Sequence, residues 1–161
     1  HGGKLRVFHG LNREGFKGTH YVREAFDHLQ RHYPHEVECS IEGGMPLPAY
    51  LEHLGKMNVV IDQTSSYSCG VNALFALALG KVVLGGAEPE NHLLYGDAPM
   101  PVLNITPDAG SIVRQVEAVL AQRADLAQLG AASREFVATH HDHVRVAERY
   151  LAAWAQPKKA V

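Results

Sequence analysis

The sequence has few cysteines, no excess of positive charge and no long apolar run, and each feature excludes a class of protein. Two cysteines, Cys39 and Cys69, among 161 residues do not make the disulfide framework of a small secreted domain, so we expect a reduced, cytoplasmic setting. The formal net charge of -2 argues against a general nucleic-acid binder. The longest apolar run, at 73–79, is far shorter than the roughly 20 residues of a membrane span.

Short apolar segments and helical patterns alternate along the first two thirds of the chain. Strands are predicted at 5–8, 37–41, 58–61, 81–84 and 102–105, and apolar side chains recur at helical spacing at 19–29, 50–54 and 71–79. Strands that alternate with helices are typical of βαβ units with right-handed crossovers. We therefore expect an α/β fold, a Rossmann-like doubly wound parallel sheet, in one domain over residues 1–161. A helical tail is predicted at 108–122, 124–140 and 144–155.

A loop with two cations follows the first predicted strand. Residues 10–19 have the sequence Gly-Leu-Asn-Arg-Glu-Gly-Phe-Lys-Gly-Thr and lead into the first predicted helix. Doubly wound proteins hold phosphorylated ligands where the carboxyl end of a strand meets the amino end of a helix. The loop is neither Gly-x-Gly-x-x-Gly nor a Walker A sequence, so it does not indicate NAD or ATP. Arg13 and Lys17 suit a diphosphate, and the alternative is a pair of solvated surface cations.

A second polar loop follows the third predicted strand. Residues 63–72, Gln-Thr-Ser-Ser-Tyr-Ser-Cys-Gly-Val-Asn, combine hydroxyl side chains, a glycine and the start of a helix. Backbone amides at 70–72 would bind phosphate, assisted by Ser66 or Ser68, although a helix cap alone also explains Ser68. No sequence feature supplies a base for Cys69, so we expect it to pack rather than to react. Two such loops on neighbouring strands point to one crevice, which favours a ligand-binding role.

The chain contains 11 histidines, three of which surround Asp142: His140, His141 and His143. A metal site needs ligands that converge with suitable geometry. This cluster lies at a predicted helix–helix junction, far along the chain from both loops, so solvated or capping side chains are the favoured interpretation. His9 lies beside the first loop, where it either touches a ligand or ends a strand.

The order of these motifs resembles the C-terminal half of GT-B retaining glycosyltransferases of the family 4 type. In those proteins a first strand leads to a loop with Gly, Arg and Lys-Gly, matched here by Gly10, Arg13 and Lys17, and a later strand ends in a Ser-rich loop. A helix of the type Leu-Glu-Ala-Met-Ala-x-Gly-x-Pro-Val follows, here at 74–83, and 133–154 is similar to the closing helices. The resemblance covers nearly the whole chain. It implies that the domain binds the nucleotide part of a sugar-nucleotide donor, with Arg13 and Lys17 on the diphosphate.

Two positions depart from that pattern. The family pairs two glutamates with seven residues between them, the first near the donor sugar and the second on the donor ribose, and these fall here at Tyr67 and Phe75. Phenylalanine cannot accept a hydrogen bond from a ribose hydroxyl, so another group does that work or donor binding is altered. We expect Phe75 at the rim of the crevice, where it would form an apolar wall against the ribose or base.

The expected function is that of the donor-binding domain of a glycosyltransferase. The resemblance implies transfer of a sugar, with retention, from a nucleoside diphosphate sugar to a saccharide or lipid-linked acceptor, as in polysaccharide biosynthesis. Arg13 and Lys17 would act as the catalytic groups by stabilising the departing diphosphate, so neither a cofactor nor a metal is expected. Together with the two loops, this predicts donor contacts from Gly10, Arg13, Lys17, Ser66, Tyr67, Ser68, Gly70, Val71, Asn72 and Phe75.

The acceptor would bind through an N-terminal domain outside this sequence. We therefore expect the chain to be the C-terminal half of a two-domain cytoplasmic enzyme and to be inactive alone. No nucleic-acid partner is expected, and the full enzyme could associate peripherally with a membrane. Two alternatives remain: a non-catalytic GT-B-like binding module that has lost the glutamate pair, and a stand-alone flavodoxin-like nucleotide binder.

Overall fold

The computed structural model describes residues 3–11, 17–96 and 99–155. Its strands are β1 (Leu5–Leu11), β2 (Val37–Gly43), β3 (Val59–Ile61), β4 (Val82–Gly85) and β5 (Val102–Asn104). Its α-helices are α1 (Thr19–His32), α2 (Leu47–Gly55), α3 (Val71–Ala78), α4 (His92–Tyr95), α5 (Ala109–Ala121), α6 (Leu126–His140) and α7 (His143–Ala155). Short 3-10 turns occupy Pro89–Asn91 and Arg123–Asp125.

The strands form one parallel sheet in the order β2-β1-β3-β4-β5. Phe8 on β1 lies opposite Ser40 on β2 and Val60 on β3, which fixes the register of the three strands. Because β1 and β3 are neighbours, the chain winds away from them in opposite directions. This places a topological switch point, the usual ligand position in open α/β sheets, at their carboxyl ends.

Alternate residues along the strands feed two separate apolar cores. Val7 and Ile61 face the first core, which includes side chains of α1 and α5. Phe8 and Val60 face the second core, which includes side chains of α2, α3 and α6. Strands buried on both faces appear in sequence as continuous apolar runs rather than as alternating patterns. The predicted doubly wound sheet with helices on both faces is therefore confirmed.

The predicted strands were right in number and order but not in every boundary. The first was expected to end at Phe8, whereas β1 continues to Leu11 because β2 pairs with it as far as Gly43. Gly10 therefore lies within a strand rather than in the loop. The short helix α4 was not predicted. None of the helices in the described ranges has the length and apolar character that a bilayer crossing requires.

A glycine ends one helix, and aspartates stand at the start of two others. Gly80 follows α3 with a φ of 69°, a conformation that favours glycine, and marks the end of that helix. Asp108 caps α5 by accepting a hydrogen bond from the Ser111 amide at 2.7 Å. Asp125 occupies the cap position of α6 without a side-chain cap bond.

Candidate functional site

The two polar loops meet at the switch point of the sheet. The first follows β1 and the second follows β3, so both stand at the carboxyl ends of neighbouring parallel strands. Residues 12–16 of the first loop, and with them Arg13, lie outside the described residues. The site is built from Lys17 onward.

A buried ion pair joins the two loops. Lys17 Nζ lies 3.6 Å from Asp62 Oδ1, and only 8% of the Lys17 side chain and 2% of the Asp62 side chain are exposed. Asp62 follows β3 directly, and its amide donates to the carbonyl of Leu84 on β4 at 2.9 Å. Because water screens these two charges poorly, they interact with each other and with nearby groups more strongly than the charges of an exposed pair do. The predicted cation is therefore present at the site, together with an anion that the sequence interpretation had not used.

The backbone of Lys17 is tied to the same segment as its side chain. Its carbonyl oxygen accepts from the Thr64 amide at 3.3 Å and from the Thr64 hydroxyl at 3.5 Å. Gly18 follows with a φ of 66°, and a Cβ there would collide with Thr64 Oγ1. Only glycine fits this close approach, which explains the Lys-Gly pair of the sequence motif in physical terms.

Asp62 also holds the start of α3. Its Oδ2 accepts from the Gly70 amide at 2.7 Å, and Gly70 is the N-terminal cap of that helix. The next two amides, those of Val71 and Asn72, have no acceptor within their own helix. The helix therefore begins where the sequence predicted, with its positive end at the switch point and its cap amide bound to Asp62.

The serine loop is internally hydrogen-bonded. Ser66 Oγ donates to the Ser68 carbonyl at 2.7 Å, and Gln63 Nε2 donates to the same carbonyl at 3.1 Å. Gly86 runs against this loop so closely that a Cβ would collide with the Ser66 carbonyl. Gly70, not Ser68, is the cap residue of α3, so the cap explanation of Ser68 is wrong.

Tyr67 is held by its backbone and leaves its ring in solvent. Its carbonyl accepts from Asn91 Nδ2 at 2.7 Å and from the Glu88 amide at 3.0 Å. Its side chain is 73% exposed. Asn104 Nδ2 in turn donates to Glu88 Oε1 at 3.0 Å. The loops after β3 and β4 and the last residue of β5 are therefore hydrogen-bonded to one another around Tyr67.

His9 is part of the interior rather than of a ligand surface. It is fully buried, with Nδ1 2.9 Å from the Ile61 carbonyl and Nε2 3.0 Å from Thr19 Oγ1. Since a carbonyl only accepts, Nδ1 carries the proton and the Thr19 hydroxyl donates to Nε2. Burial lowers the pKa of His9 to about 4, with a further small decrease from nearby Lys17, against the opposing hydrogen bond to Ile61. His9 therefore joins β1, β3 and α1 as a neutral imidazole.

Phe75 and Cys69 lie on the apolar side of the site. Both are half-buried and pack against the second core. Burial raises the pKa of the Cys69 thiol to about 11, so the thiol stays protonated and unreactive at neutral pH. The packing role expected for Cys69 agrees with this, and the contact of Phe75 with a ligand remains a prediction.

The histidine cluster lies at the junction of α6 and α7, as predicted, and its members act locally. Asp142 Oδ1 accepts from the amides of Val144 and Arg145, both at 3.1 Å, and so caps α7. His141 Nε2 lies 3.3 Å from the Tyr95 hydroxyl. No group of three or more metal-ligating side chains occurs in the described part of the chain.

Two hollows differ sharply in character. One of about 250 Å³ opens at the carboxyl ends of the strands, lined by Thr64, Ser65, Ser66, Tyr67, Glu88, Ile105, Thr106 and Pro107. A larger one of about 540 Å³ lies between β5 and α6 among mostly apolar side chains, including Met100, Leu129 and Phe136. The smaller hollow adjoins the serine loop, whereas the larger one is remote from both polar loops. Neither is lined by Lys17 or Asp62, so the candidate site remains at the β1/β3 switch point beside the smaller hollow.

Comparisons of sequence alone find no relative. No protein-family model matches the chain, and no curated protein matches it.

Comparison of the structure does find similar folds. One is HepE from Anabaena in complex with UDP and glucose, with a TM-score of 0.71 and 12% identity over 95% of this chain and 48% of that one. A variant of S. aureus TarM, in complex with fondaparinux, alpha-GlcNAc-glycerol and UDP, gives 0.71 and 12% over 95% of this chain and 36% of that one. Sucrose-phosphate synthase from Thermosynechococcus elongatus gives a TM-score of 0.62 and 15% identity over 94% of this chain and 46% of that one.

These similar structures are GT-B glycosyltransferases. At 12–15% identity the likeness establishes the fold: the chain folds like part of a GT-B protein, as the resemblance implied. The chain spans half or less of the length of each of these proteins. The narrower expectation of family 4 stays a prediction. A shared fold does not by itself carry a function, which has to be argued from the site.

Proposed function

We propose that the chain is the donor-binding domain of a glycosyltransferase and that it binds the diphosphate of a nucleoside diphosphate sugar at the β1/β3 switch point. The observation that supports this most is the convergence of Lys17 and the amino end of α3 at one place. A cation and free helix amides together attract phosphate oxygens. HepE and TarM, which share the fold, are complexes with UDP.

Catalysis in the complete enzyme would be largely electrostatic. Arg13 and Lys17 would stabilise the charge that develops on the departing diphosphate, and the amides of Val71 and Asn72 would add to it. The acceptor, a saccharide or a lipid-linked saccharide, would bind to a further domain, so this chain alone would bind the donor without turnover. Transfer with retention, a cytoplasmic site of action and peripheral membrane association of the full enzyme belong to the same proposal.

Titration calorimetry at low salt tests the proposal. We expect UDP, or another nucleoside diphosphate, to bind more tightly than the corresponding monophosphate or nucleoside. Arg13→Ala and Lys17→Ala should each weaken binding about tenfold or more, because a hydrogen bond to a charged group contributes roughly 1.5–3 kcal/mol. Arg6→Ala, an exposed cation at the far end of β1, is the matched control. Unchanged affinity in both loop variants would remove the diphosphate role.

The strand order gives the flavodoxin-like alternative a specific basis. The order β2-β1-β3-β4-β5 is also that of flavodoxin-like proteins, which bind FMN at the same switch point. The same calorimetry separates the two proposals, because a flavodoxin-like binder would take FMN in preference to any nucleoside diphosphate. Failure of the protein to bind any nucleotide would favour the non-catalytic module.

Phe75→Glu tests whether the missing glutamate explains altered donor binding. The side chain is half-buried at the edge of the second core, so a carboxylate there can reach solvent. We expect the variant to fold and to bind the nucleoside diphosphate more tightly through the ribose. Phe75→Gln is the control for charge. A large drop in the melting midpoint of Phe75→Glu would show that Phe75 is a core residue, because an unpaired buried carboxylate lowers the free energy of unfolding by about 2 kcal/mol or more.

A further inference from the structure

Asp62 is bound to Lys17, the cation that a donor phosphate would use, and to the first amide of the helix end beside it. Its Oδ1 faces Lys17 Nζ at 3.6 Å, and its Oδ2 accepts from the Gly70 amide at the start of α3 at 2.7 Å. The carboxylate is nearly inaccessible, with 2% of its side chain exposed. The switch point therefore already contains an anion that belongs to the protein.

We propose that Asp62 is an internal counter-anion that sets the affinity of the site for diphosphate, in effect cancelling the contribution of Lys17. This inference rests on the proposed donor-binding function. The buried pair is electrically neutral, so a diphosphate arriving beside it meets both an attractive ammonium and a repulsive carboxylate. Both charges lie where water screens them poorly, so the repulsion matters as much as the attraction.

The hydrogen bonds of Asp62 explain why it stays in place when a ligand arrives. The bond to the Gly70 amide joins β3 to the cap of α3, and the Asp62 amide is bound to β4 through Leu84. Lys17, by contrast, has three donors on a flexible stem and can share them between Asp62 and a phosphate oxygen. Asp62 is thus an affinity-setting residue that acts through Lys17 and need not touch the ligand.

The test compares UDP and uridine binding to the wild type and to Asp62→Asn by calorimetry at low salt. The amide oxygen of asparagine can still accept from Gly70, while the negative charge is gone. We expect UDP affinity to rise about tenfold, as one unit charge a few ångströms away implies, and uridine affinity to stay the same. If the role of Asp62 is purely structural, the substitution would change the affinities for UDP and uridine together, would change neither, or would weaken UDP binding. Each of these results would overturn the inference.

A double variant, Lys17→Met with Asp62→Asn, covers the case in which the single variant does not fold. It removes both buried charges and leaves none unpaired, which proteins tolerate well. If the two charges cancel, UDP affinity should change less than about threefold from the wild type. A loss of tenfold or more would show that Lys17 binds diphosphate without opposition, and would overturn the inference.

The outcome for this inference is separable from that for the proposed function. UDP binding by the wild type tests the proposed function alone. If the wild type binds UDP and Asp62→Asn is no tighter, the proposed function stands and the inference fails. If the wild type does not bind UDP and Asp62→Asn does, the inference is supported, whereas failure of both to bind UDP overturns both.

Discussion

Two clusters of charged and titratable side chains, one at the β1/β3 switch point and one at the α6–α7 junction, have opposite characters. At the β1/β3 switch point, Lys17, Asp62 and His9 are almost fully buried. Lys17 is paired with Asp62, and His9 is hydrogen-bonded to the carbonyl of Ile61, the residue before Asp62. At the α6–α7 junction, the side chains of Asp142 and His143 are 39% and 93% exposed and lie 3.9 Å apart. By residue type alone, the second cluster has more of the side chains that bind metals or transfer protons, since His140, His141 and His143 surround Asp142.

The difference between the clusters comes from burial. A group removed from water must be satisfied by protein partners, and its charge then acts strongly on its neighbours. A group in water has its charge screened, and its role reduces to local hydrogen bonds such as the cap that Asp142 gives to α7. Burial, rather than the number of histidines, identifies the candidate site.

The largest expected effect breaks the buried cluster. Lys17→Met should lower the free energy of unfolding by about 3–5 kcal/mol, because it leaves Asp62 charged and unpaired inside the protein. Chemical denaturation checks this value. The matched control is Lys56→Met, which removes an exposed ion pair with Glu52 at 2.7 Å and should change stability little. Equal effects in the two variants would mean that burial does not distinguish the pairs.

A smaller effect should come from acidification, through His9. Its folded-state pKa, about 4, lies below the ordinary value of 6.5, so the unfolded state binds more protons between these two values. Stability is therefore greatest above pH 6.5 and is lost as the pH falls towards 4, by up to about 1.4 kcal/mol per pH unit. Denaturation at several pH values measures the slope.

The variant His9→Gln isolates this contribution, since it removes the titrating ring at the same position. The slope between pH 6.5 and 4 should be shallower in the variant than in the wild type. An unchanged slope would assign the acid sensitivity to other groups. His143→Gln, at a side chain that is 93% exposed, is the matched control and should leave the slope as it is.

The smallest expected effect belongs to the exposed cluster. Asp142→Ala removes the cap of α7, a helix that buries no side chain of its own. We expect a modest loss of helical circular dichroism with little change in the midpoint of unfolding. A large drop in the midpoint would show that α7 supports the core, and Asp142→Asn, which retains a capping oxygen, should behave as the wild type.

Much of the fold could be predicted because strongly apolar segments have few choices. Residues 59–61 and 82–84 are buried on both faces, and continuous apolar segments of this kind are typical of central parallel strands. The end of β1 was missed because Gly10 and Leu11 become strand residues only through pairing with Glu42 and Gly43. Helix α4 was missed because four residues are too short to show a periodic pattern.

The candidate site was predicted in part, from the types and order of its residues. Lys17 and the start of α3 lie where the sequence placed them, and the role of each toward a ligand stays a prediction. Asp62, between the predicted strand at 58–61 and the polar loop at 63–72, was assigned no role. A charged residue directly after an all-apolar strand, and just before a hydroxyl-rich loop, was the signal that could have found it.

The α/β class, the order of the elements and the two polar loops could be read from the amino-acid sequence, because apolar periodicity and glycine placement act locally along the chain. The pairing of Lys17 with a carboxylate 45 positions away and the complete burial of His9 became visible in the folded chain alone. Which charges meet, and how far they lie from water, depends on the packing of strands that are distant in sequence. That packing sets the electrostatics of the site.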